Sequence, residues 1–462
     1  MTEAASFLRP STRATGSRVE QNAVRQRFAE RGDILSWGRV DRRLQHWARP
    51  QFRDEVGELL RDPAWPNKLA IGLRRSYGDS CLNSGGGLIE TTGLDRLIAF
   101  DPLSGRLRGE AGLSLSEALK LIVPRGWFLP TTPGTRFVTL GGAVANDVHG
   151  KNHHRAGSFG ANVLALGLHR SDGGGVIVTP ETHPDLFRAT IGGLGLTGVI
   201  EWVEIALVPI ASAFLDVEIA SFENLEEFWF LAAESVATHE HTAAWIDCAA
   251  SRARGVFTRA NWAPSGGLAP HEDNSLCVIP FEFPGFALNR LTVGAFNEFY
   301  YRRHKMKAAK HKQDYQTYFY PLDSVRSWNR LYGVRGMRQY QCVIPSGEER
   351  VALPALLAEI ARTGQASFLA VLKTFGDKPS PGLLSFPRPG TTLALDFSVR
   401  GETLSLMSRL DAIVREAKGA LYPAKDGRMP ADMFRLSFPH WETLARLKDP
   451  ATSSDFWRRV SQ

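Results

Sequence analysis

Glycines crowd into short runs in one part of this chain, between residues 72 and 198. The runs are Gly85-Gly86-Gly87, Gly141-Gly142, Gly173-Gly174-Gly175 and Gly192-Gly193-Leu194-Gly195, and short β-type segments such as Leu97-Ile98-Ala99-Phe100 separate them. Glycine permits tight turns and lets backbone approach a ligand closely. Because turn signals alternate with short strands here, we predict an α+β domain with many tight turns and few long helices.

Helix signals are clearer in a few places. Ser114-Leu115-Ser116-Glu117 has the spacing of a capping box and predicts a helix through Val123. After Pro209, aromatic residues become frequent and glycine clusters rarer. Helical apolar spacing covers 222–236, 351–362 and 404–417, and residues 394–399 alternate like a half-buried strand. This shift predicts a second domain.

Composition excludes several classes of protein. The 462 residues include 43% hydrophobic and 22% charged side chains and carry a net charge of +7, as in ordinary globular proteins of two or three domains. The four cysteines, Cys81, Cys248, Cys277 and Cys342, lie too far apart for a zinc site or a disulfide framework. No apolar run is long enough to span a membrane, and residues 1–20 lack the apolar segment of a secretory signal. We expect a cytoplasmic protein with reduced thiols.

The first candidate site is the segment from Gly72 to Ser80, directly after a short strand. A glycine-framed turn with Arg and Ser donors can bind a pyrophosphate through backbone N–H groups. It is not a G-x-G-x-x-G motif, and no βαβ unit is evident around it, which disfavours a Rossmann site. A plain surface turn is the alternative.

The second candidate site joins Pro133-Gly134-Thr135 to the run from Thr139 to His154. Gly141-Gly142 would let backbone approach a flat ring closely, and His149 and Lys151 supply polar groups nearby. A glycine-rich helix start and a metal site built from His149, His153 and His154 are the alternatives. No carboxylate cluster accompanies the histidines, so we expect no metal.

Together with Gly195-Leu196-Thr197-Gly198, these segments resemble the vanillyl-alcohol-oxidase family of flavoproteins, in which such segments bind FAD. The resemblance is closest to members that oxidise a polyprenyl-phosphoryl ribose, and it runs from about Trp37 to the C-terminal region. Further matching segments are Arg75–Asp79, His149–His154, Ala156–Gly160, Gln339–Gln341, Val343–Pro345, Lys373 with Phe375-Gly376, Leu384–Pro387 and Ala424–Asp426.

The resemblance implies an α+β, two-domain fold of the vanillyl-alcohol-oxidase or PCMH type, with an antiparallel sheet in its substrate domain. With the composition shift, it predicts a mobile arm over residues 1–30 and an FAD-binding domain over 31–212. A substrate-binding domain would cover 213–419, and residues 420–462 would return to the FAD-binding domain.

The resemblance also implies site residues. The FAD-binding residues would be Ala70, Ile71, Gly72, Leu73, Arg74, Arg75, Ser76, Tyr77, Gly78, Asp79, Ser80, Gly134, Thr139, Leu140, Gly141, Gly142, Asn146, Asp147, Val148, His149, Ile200 and Tyr422. Lys425 would accept the proton of the substrate hydroxyl, and His149, Tyr77, Gln341 and Lys373 would orient substrate or stabilise charge. Some members link FAD to a histidine in the pyrophosphate loop. Arg75 stands there in this chain, so we expect non-covalent FAD.

Three positions depart from the family's pattern. Arg74 replaces a glycine and must adopt a left-handed conformation, or the loop must adjust. Ala394 stands where mycobacterial members carry a cysteine that nitroaromatic inhibitors modify, and Thr392 replaces an asparagine. Oxidation of a sugar hydroxyl requires no thiol, so the loss of the cysteine bears on inhibitors more than on turnover.

A basic stretch follows an aromatic segment that contains Phe296, Phe299, Tyr300 and Tyr301. Its cations are Arg302, Arg303, Lys305, Lys307, Lys310 and Lys312. Contact with anionic lipid is one interpretation, and nucleic-acid binding and a solvated loop are the others. The resemblance favours a peripheral position at the inner membrane surface and no nucleic acid.

For function, the resemblance implies oxidation of the 2-hydroxyl of a polyprenyl-phosphoryl-β-D-ribose to a keto sugar, the first half of an epimerisation to the arabinose donor. A short-chain reductase partner would then reduce the keto sugar. An aldonolactone or alditol oxidase acting on a small soluble sugar is the alternative, and a flavin-binding protein without turnover is a third.

Overall fold

The computed structural model describes residues 27–250, 253–268, 277–306, 310–365 and 367–462. Within them the strands are, in chain order, β1 Ala29–Arg31, β2 Gln45–Ala48, β3 Lys68–Ile71, β4 Gly87–Glu90, β5 Leu97–Asp101, β6 Arg106–Glu110, β7 Trp127–Phe128, β8 Val163–Arg170, β9 Gly174–Val178, β10 Val199–Ala206, β11 Val208–Pro209, β12 Phe214–Phe222, β13 His241–Ile246, β14 Gly255–Trp262, β15 Cys277–Val278, β16 Lys310–Asp314, β17 Val325–Arg326, β18 Met337–Pro345, β19 Ala370–Phe375, β20 Gly390–Ser398 and β21 Ala420–Leu421.

The helices of the same residues are mostly short. They are α1 Asp54–Arg61, α2 Leu115–Ile122, α3 Leu140–Ala145, α4 His153–Ala156, α5 Pro184–Thr190, α6 Leu225–Thr238, α7 Arg290–Lys305, α8 Tyr315–Phe319, α9 Glu349–Thr363, α10 Thr403–Glu416, α11 Ala431–Ser437, α12 Trp441–Leu447 and α13 Asp455–Val460. No helix of the described ranges is long and apolar enough to cross a membrane.

Residues 29–206, which include the glycine-rich region, form two sheets. One is four-stranded in the order β1-β2-β4-β3, and the other is five-stranded and antiparallel in the order β5-β6-β10-β8-β9. The predicted helix after Ser114 is present as α2, and the Ser114 side chain accepts a hydrogen bond from Glu117 N at 3.1 Å. The apolar residues of α3 pack beneath β10 and place the Gly141-Gly142 pair at the edge of this layer.

The second region forms an eight-stranded antiparallel sheet in the order β16-β12-β14-β13-β19-β20-β18-β21. Helices α6, α9 and α10 bury their apolar residues in one core with this sheet. The alternating strand at 394–399 and the helices predicted at 351–362 and 404–417 are therefore confirmed as β20, α9 and α10. The mixed α+β fold with an antiparallel sheet agrees with the predicted class.

The C-terminal residues pack back on the first region. Lys68 N donates to Ala451 O at 2.7 Å, and Ser453 N donates to Lys68 O at 2.9 Å. Farther along, the Arg459 side chain pairs with Asp79 at 2.7 Å. These contacts bring the segment after β21 beside the loop that follows β3.

The helix predicted over 222–236 is present as α6, but its start differs. It begins at Leu225, because β12 runs through Phe222 and Asn224 caps the helix by accepting from Glu227 N at 2.9 Å.

The expectation that no βαβ unit surrounds the first candidate site is wrong. A β-α-β unit precedes that site, since β2, α1 and β3 follow one another and both strands lie parallel to β4. A Rossmann site is still disfavoured because the segment after β3 enters a short 3₁₀ turn at Asp79–Cys81.

Most of the mobile arm predicted over residues 1–30 lies outside the described residues, which begin at position 27. Its last two residues, Ala29 and Glu30, belong to β1.

Candidate active site

A cavity of about 920 Å³ lies between the glycine-rich region and the eight-stranded sheet. All five predicted catalytic residues line it, namely Lys425, His149, Tyr77, Gln341 and Lys373. Most of the predicted FAD-binding residues line it too: Ala70, Ile71, Gly72, Leu73, Arg74, Arg75, Ser76, Ser80, Gly134, Thr139, Gly141, Gly142, Asn146, Val148, Ile200 and Tyr422. The structure thus brings both candidate segments to one wall.

Four predicted FAD-binding residues lie behind that wall. Leu140 is fully buried in the core of the five-stranded sheet, and Asp79 pairs with Arg459. The Asp147 carboxylate accepts from Gly160 N at 2.8 Å and from Ser385 Oγ at 2.5 Å. A Cβ on Gly78 would lie 1.6 Å from Asp426 O. These residues support the cavity wall from outside the cavity.

The loop after β3 lines the cavity with Leu73, Arg74 and Arg75. Arg74 adopts φ of 53°, the left-handed conformation that was one of the two outcomes expected there. In the described part of the chain, the N–H groups of Leu73, Arg74 and Arg75 donate to no protein acceptor. Because unpaired N–H groups at a turn suit an anionic ligand, this loop fits a pyrophosphate.

Arg75 fixes the loop from one side. Its guanidinium lies over the Trp37 ring at 4.0 Å, and its Nε donates to Phe137 O at 3.1 Å. Burial lowers the pKa of Arg75, and the nearby Asp323 carboxylate opposes that shift. The residue is therefore a positioned cation, without a group that could bond covalently to a flavin.

Gly72, Gly134, Gly141 and Gly142 line one side of the cavity, here called the glycine wall, where backbone can approach a ligand closely. A Cβ on Gly134 would meet no atom within 4 Å, so the backbone there faces open space. At Gly72 a Cβ would lie 2.4 Å from Thr139 Oγ1, so only glycine leaves the wall in place. Ser80 Oγ and His149 Nδ1 are buried beside the cavity without a partner among the described residues. Unsatisfied buried polar atoms of this kind are rare unless a ligand or water pairs with them.

The opposite wall is one face of the eight-stranded sheet. Cross-strand partners share a face, and Gln341 lies opposite Ala394, which in turn lies opposite Val371. Two residues along β20 in one direction, Thr392 is the cross-strand neighbour of Lys373. Two residues along in the other direction, Asp396 is the cross-strand neighbour of Gln339. The register therefore carries Gln341 and Lys373 to the same side, although they are far apart in sequence.

Lys425 lies in the turn after β21, at the junction of the two walls. Its Nζ lies over the Tyr77 ring at 4.0 Å, and Tyr77 N donates to Ala424 O at 2.9 Å, which ties the turn to the loop after β3. Burial lowers the pKa of Lys425, and attraction to the Asp396 carboxylate opposes that shift. A lysine with a lowered pKa is suited to proton transfer.

His149 is held in one protonation state. Gln341 Nε2 donates to His149 Nε2 at 3.1 Å, so Nδ1 carries the ring proton. Burial lowers the pKa of His149 well below its usual value, and the Lys373 cation adds to that shift. The ring is neutral at pH 7 and its Nδ1–H is available to a ligand.

Sequence reasoning missed Asp396, a carboxyl group in the middle of an apolar strand. Gln339 Nε2 donates to Asp396 Oδ1 at 2.5 Å. Burial raises the pKa of Asp396, while the Gln339 hydrogen bond and the Lys425 cation oppose the shift. One signal was available in the sequence. Alternate residues of β20 face the cavity side of the sheet, as Thr392 and Ala394 do, and Asp396 continues that series.

Lys151 also lines the cavity, but it has partners of its own. Its Nζ donates to Tyr318 O and lies over the Tyr318 ring at 4.1 Å.

His149, His153 and His154 were the alternative metal ligands. Among the described residues, no group of three His, Cys, Asp or Glu side chains is placed so that it could hold a metal ion.

Comparison with known proteins agrees with this geometry. Residues 45–179 match the FAD binding domain family. The chain is 35% identical over 410 residues to the decaprenylphosphoryl-beta-D-ribose oxidase of Mycolicibacterium smegmatis, covering 85% of this chain and 88% of that protein. It is 32% identical over 372 residues to an uncharacterized Streptomyces coelicolor protein in the mprA 5' region, covering 75% of this chain and all of the relative. A putative D-arabinono-1,4-lactone oxidase of Neurospora crassa is 28% identical over 31% of this chain and 25% of its own length.

The fold and the cavity define an FAD-dependent oxidoreductase that acts on CH–OH groups. The long match to the mycobacterial enzyme narrows the class. The chain belongs to the decaprenylphosphoryl-ribose oxidase family of flavoproteins.

Proposed function

We propose that this protein oxidises the 2-hydroxyl of a polyprenyl-phosphoryl-β-D-ribose to the 2-keto sugar. The observation that carries the proposal is the meeting of Lys425, Gln341 and His149 in one cavity with the glycine wall that fits FAD. The mycobacterial relative, whose name includes this substrate class, supports it. The lactone oxidases match less than half of this chain, so a small soluble sugar is the less supported alternative.

We propose that the loop after β3 holds the FAD pyrophosphate and that Gly141, Gly142 and His149 border the ring. Bound FAD supplies the acceptor for the hydride that leaves the sugar carbon. Residues at the other wall then act on the sugar itself.

Lys425 is the proposed acceptor of the hydroxyl proton. Its lowered pKa increases the fraction of neutral amine at pH 7, which a general base requires. Tyr77 keeps the amine in place through its ring, and the hydrogen-bonded pair of Gln341 and His149 orients the sugar. Burial and the neighbouring Lys425 cation lower the pKa of Lys373 to about 8, and burial also lowers that of Lys425. We therefore assign the two roles by position: Lys425 lies at the junction of the two walls, whereas Lys373 lies on the sheet face beside Gln341 and, when protonated, stabilises negative charge on the substrate.

The test of this function is anaerobic bleaching of the flavin. Polyprenyl-phosphoryl ribose should bleach the enzyme's flavin, whereas ribitol and aldonolactones at the same concentration should not. Faster bleaching by an aldonolactone would assign the protein to the soluble-sugar oxidases. A reductase partner for the keto product belongs to the same proposal, and adding a short-chain reductase with its nicotinamide cofactor should yield the arabinose epimer.

The FAD should be released intact when the protein is unfolded. Arg75 occupies the position at which some family members attach flavin, and it cannot form that bond. After acid precipitation we expect all the yellow colour in the supernatant, with the chromatographic mobility of FAD. Flavin that stays with the precipitated protein would contradict this prediction and would direct attention to His149 or Cys81, both of which line the cavity.

A further inference from the structure

Helix α7 presents apolar side chains both to the cavity and to solvent. Phe296 and Tyr300 line the cavity. On the outside of the same helix, Leu291 is 82% exposed and Phe299 is 63% exposed, and Met306, directly after the helix, is 85% exposed. Large apolar groups this exposed and this close together mark an interaction surface more often than they occur by chance.

Helical geometry makes these side chains continuous. At 3.6 residues per turn, positions 291, 299 and 306 share one face of the helix, and 296 lies between that face and residue 300. Phe286, which is also exposed, is held beside the start of α7, where Asn289 Nδ2 donates to Phe286 O at 3.0 Å. We define the α7 apolar surface as Phe286, Leu291, Phe296, Phe299 and Met306.

The end of the cavity next to this surface is aromatic. The Trp245 and Tyr300 rings lie 4.8 Å apart, and the Phe296 and Phe368 rings lie 5.8 Å apart. All four residues line the cavity. An apolar path therefore leads from the sheet face that carries Val371 and Ala394, past Tyr300, to half-exposed Phe296 and the solvent.

The charges around the α7 apolar surface differ from those expected from sequence. Ion pairs neutralise Lys305 with Glu223, Lys310 with Glu218 and Arg302 with Glu298. Lys307 lies outside the described residues.

Other cations at this end of the molecule are available to a partner. Arg290 and Arg303 on α7 and Arg326 at the cavity rim are exposed and have no acidic partner in the described ranges. The surface thus combines exposed apolar groups with unpaired positive charge, which is the chemistry that binds an anionic lipid interface.

We propose that the α7 apolar surface lies in the headgroup region of an anionic bilayer and that the polyprenyl chain of the substrate passes between bilayer and cavity along it. The membrane contact stands on the surface itself, whereas the passage of the polyprenyl chain rests on the proposed function. Apolar insertion would carry most of the affinity, and the three arginines would add attraction to anionic headgroups.

Flotation of the FAD-loaded full chain with vesicles tests the contact. Phosphatidylcholine vesicles containing phosphatidylglycerol should carry the wild-type protein, and pure phosphatidylcholine vesicles should carry less. The triple variant Leu291→Gln, Phe299→Gln, Met306→Gln should partition about 100-fold more weakly, because three inserted apolar groups are lost.

A matched control removes equally exposed apolar groups elsewhere, through Leu103→Gln, Ile177→Gln and Phe230→Gln. This control should float like the wild type. Equal flotation of the triple variant and the control, or no flotation of the wild type, would overturn the proposal.

Flavin reduction separates this inference from the proposed function. With a water-soluble, short-chain phosphoryl ribose, the triple variant should reduce its flavin at the wild-type rate, since none of its changed residues lines the cavity. With a long-chain substrate embedded in vesicles it should be at least about tenfold slower. An equal rate on the embedded substrate would refute the passage of the chain along α7. If neither sugar reduces the flavin but flotation still depends on α7, the proposed function fails and the membrane surface stands.

Discussion

Lys425→Ala protein is expected to stay folded and yellow, while its flavin is reduced by polyprenyl-phosphoryl ribose about 10²–10⁴ times more slowly, the usual range for a positioned acid–base group. Of the described lysines that line the cavity, all have a lowered pKa, and Lys425 is the one that lies in the turn at the junction of both walls, over the Tyr77 ring. The measurement is stopped-flow reduction on protein whose FAD content has been verified.

The exposed residue Lys378 provides the control, because it follows β19 of the eight-stranded sheet and Lys378→Ala removes a lysine that does not line the cavity. It should reduce its flavin at the wild-type rate. Near-wild-type reduction by Lys425→Ala would remove Lys425 from the mechanism.

The pH dependence of reduction has a definite sign. A base must be unprotonated to accept the hydroxyl proton, so the wild-type rate should rise with pH and level off above the lowered pKa of Lys425. The residual rate of Lys425→Ala should lose this rise. A wild-type rate that falls with pH over the same range would contradict a basic role for the lysine.

Arg459→Leu is expected to destabilise the protein by about 3–5 kcal/mol, because it leaves buried carboxylates without their cation. Arg459 Nη2 lies 2.7 Å from Asp79 Oδ1 and 3.1 Å from Asp426 Oδ2. Asp79 directly follows the proposed pyrophosphate loop and Asp426 follows Lys425, so the same change should weaken FAD retention. Urea denaturation and flavin loss on dilution measure the two effects.

An exposed ion pair supplies the comparison. Arg415 lies 2.8 Å from Asp432, and both side chains are largely exposed, so Arg415→Leu should cost less than about 1 kcal/mol. The loss of unfolding free energy caused by Arg459→Leu should become smaller as the pH falls. Burial already raises the pKa of Asp79, and without Arg459 its protonation would relieve the buried charge at a higher pH. Equal effects of the two substitutions would show that the Arg459 cluster is not a buried ion network.

Local patterns in the sequence located one wall of the cavity. The glycine runs predicted a tight turn after β3. The Arg at position 74 left two outcomes open, a left-handed residue or an adjusted loop, and Arg74 has φ of 53°. The capping box at Ser114 and the apolar spacing of α9 and α10 predicted helices that are present. These features depend on φ preferences, caps and periodicity within about fifteen residues, which a single segment determines for itself.

Only the tertiary structure decided which residues stand beside one another across the chain. Asp79 turned away from the cavity because Arg459, 380 positions later, pairs with it. Asp396 became part of the site because the register of β18, β19 and β20 and the turn at Lys425 bring it near that cation. Two cations of the basic stretch, Lys305 and Lys310, pair with Glu223 and Glu218, which lie in a turn and a strand more than eighty residues earlier. Charge pairing and desolvation depend on such distant neighbours, so composition and spacing show which cations exist and the fold determines which of them remain free to bind.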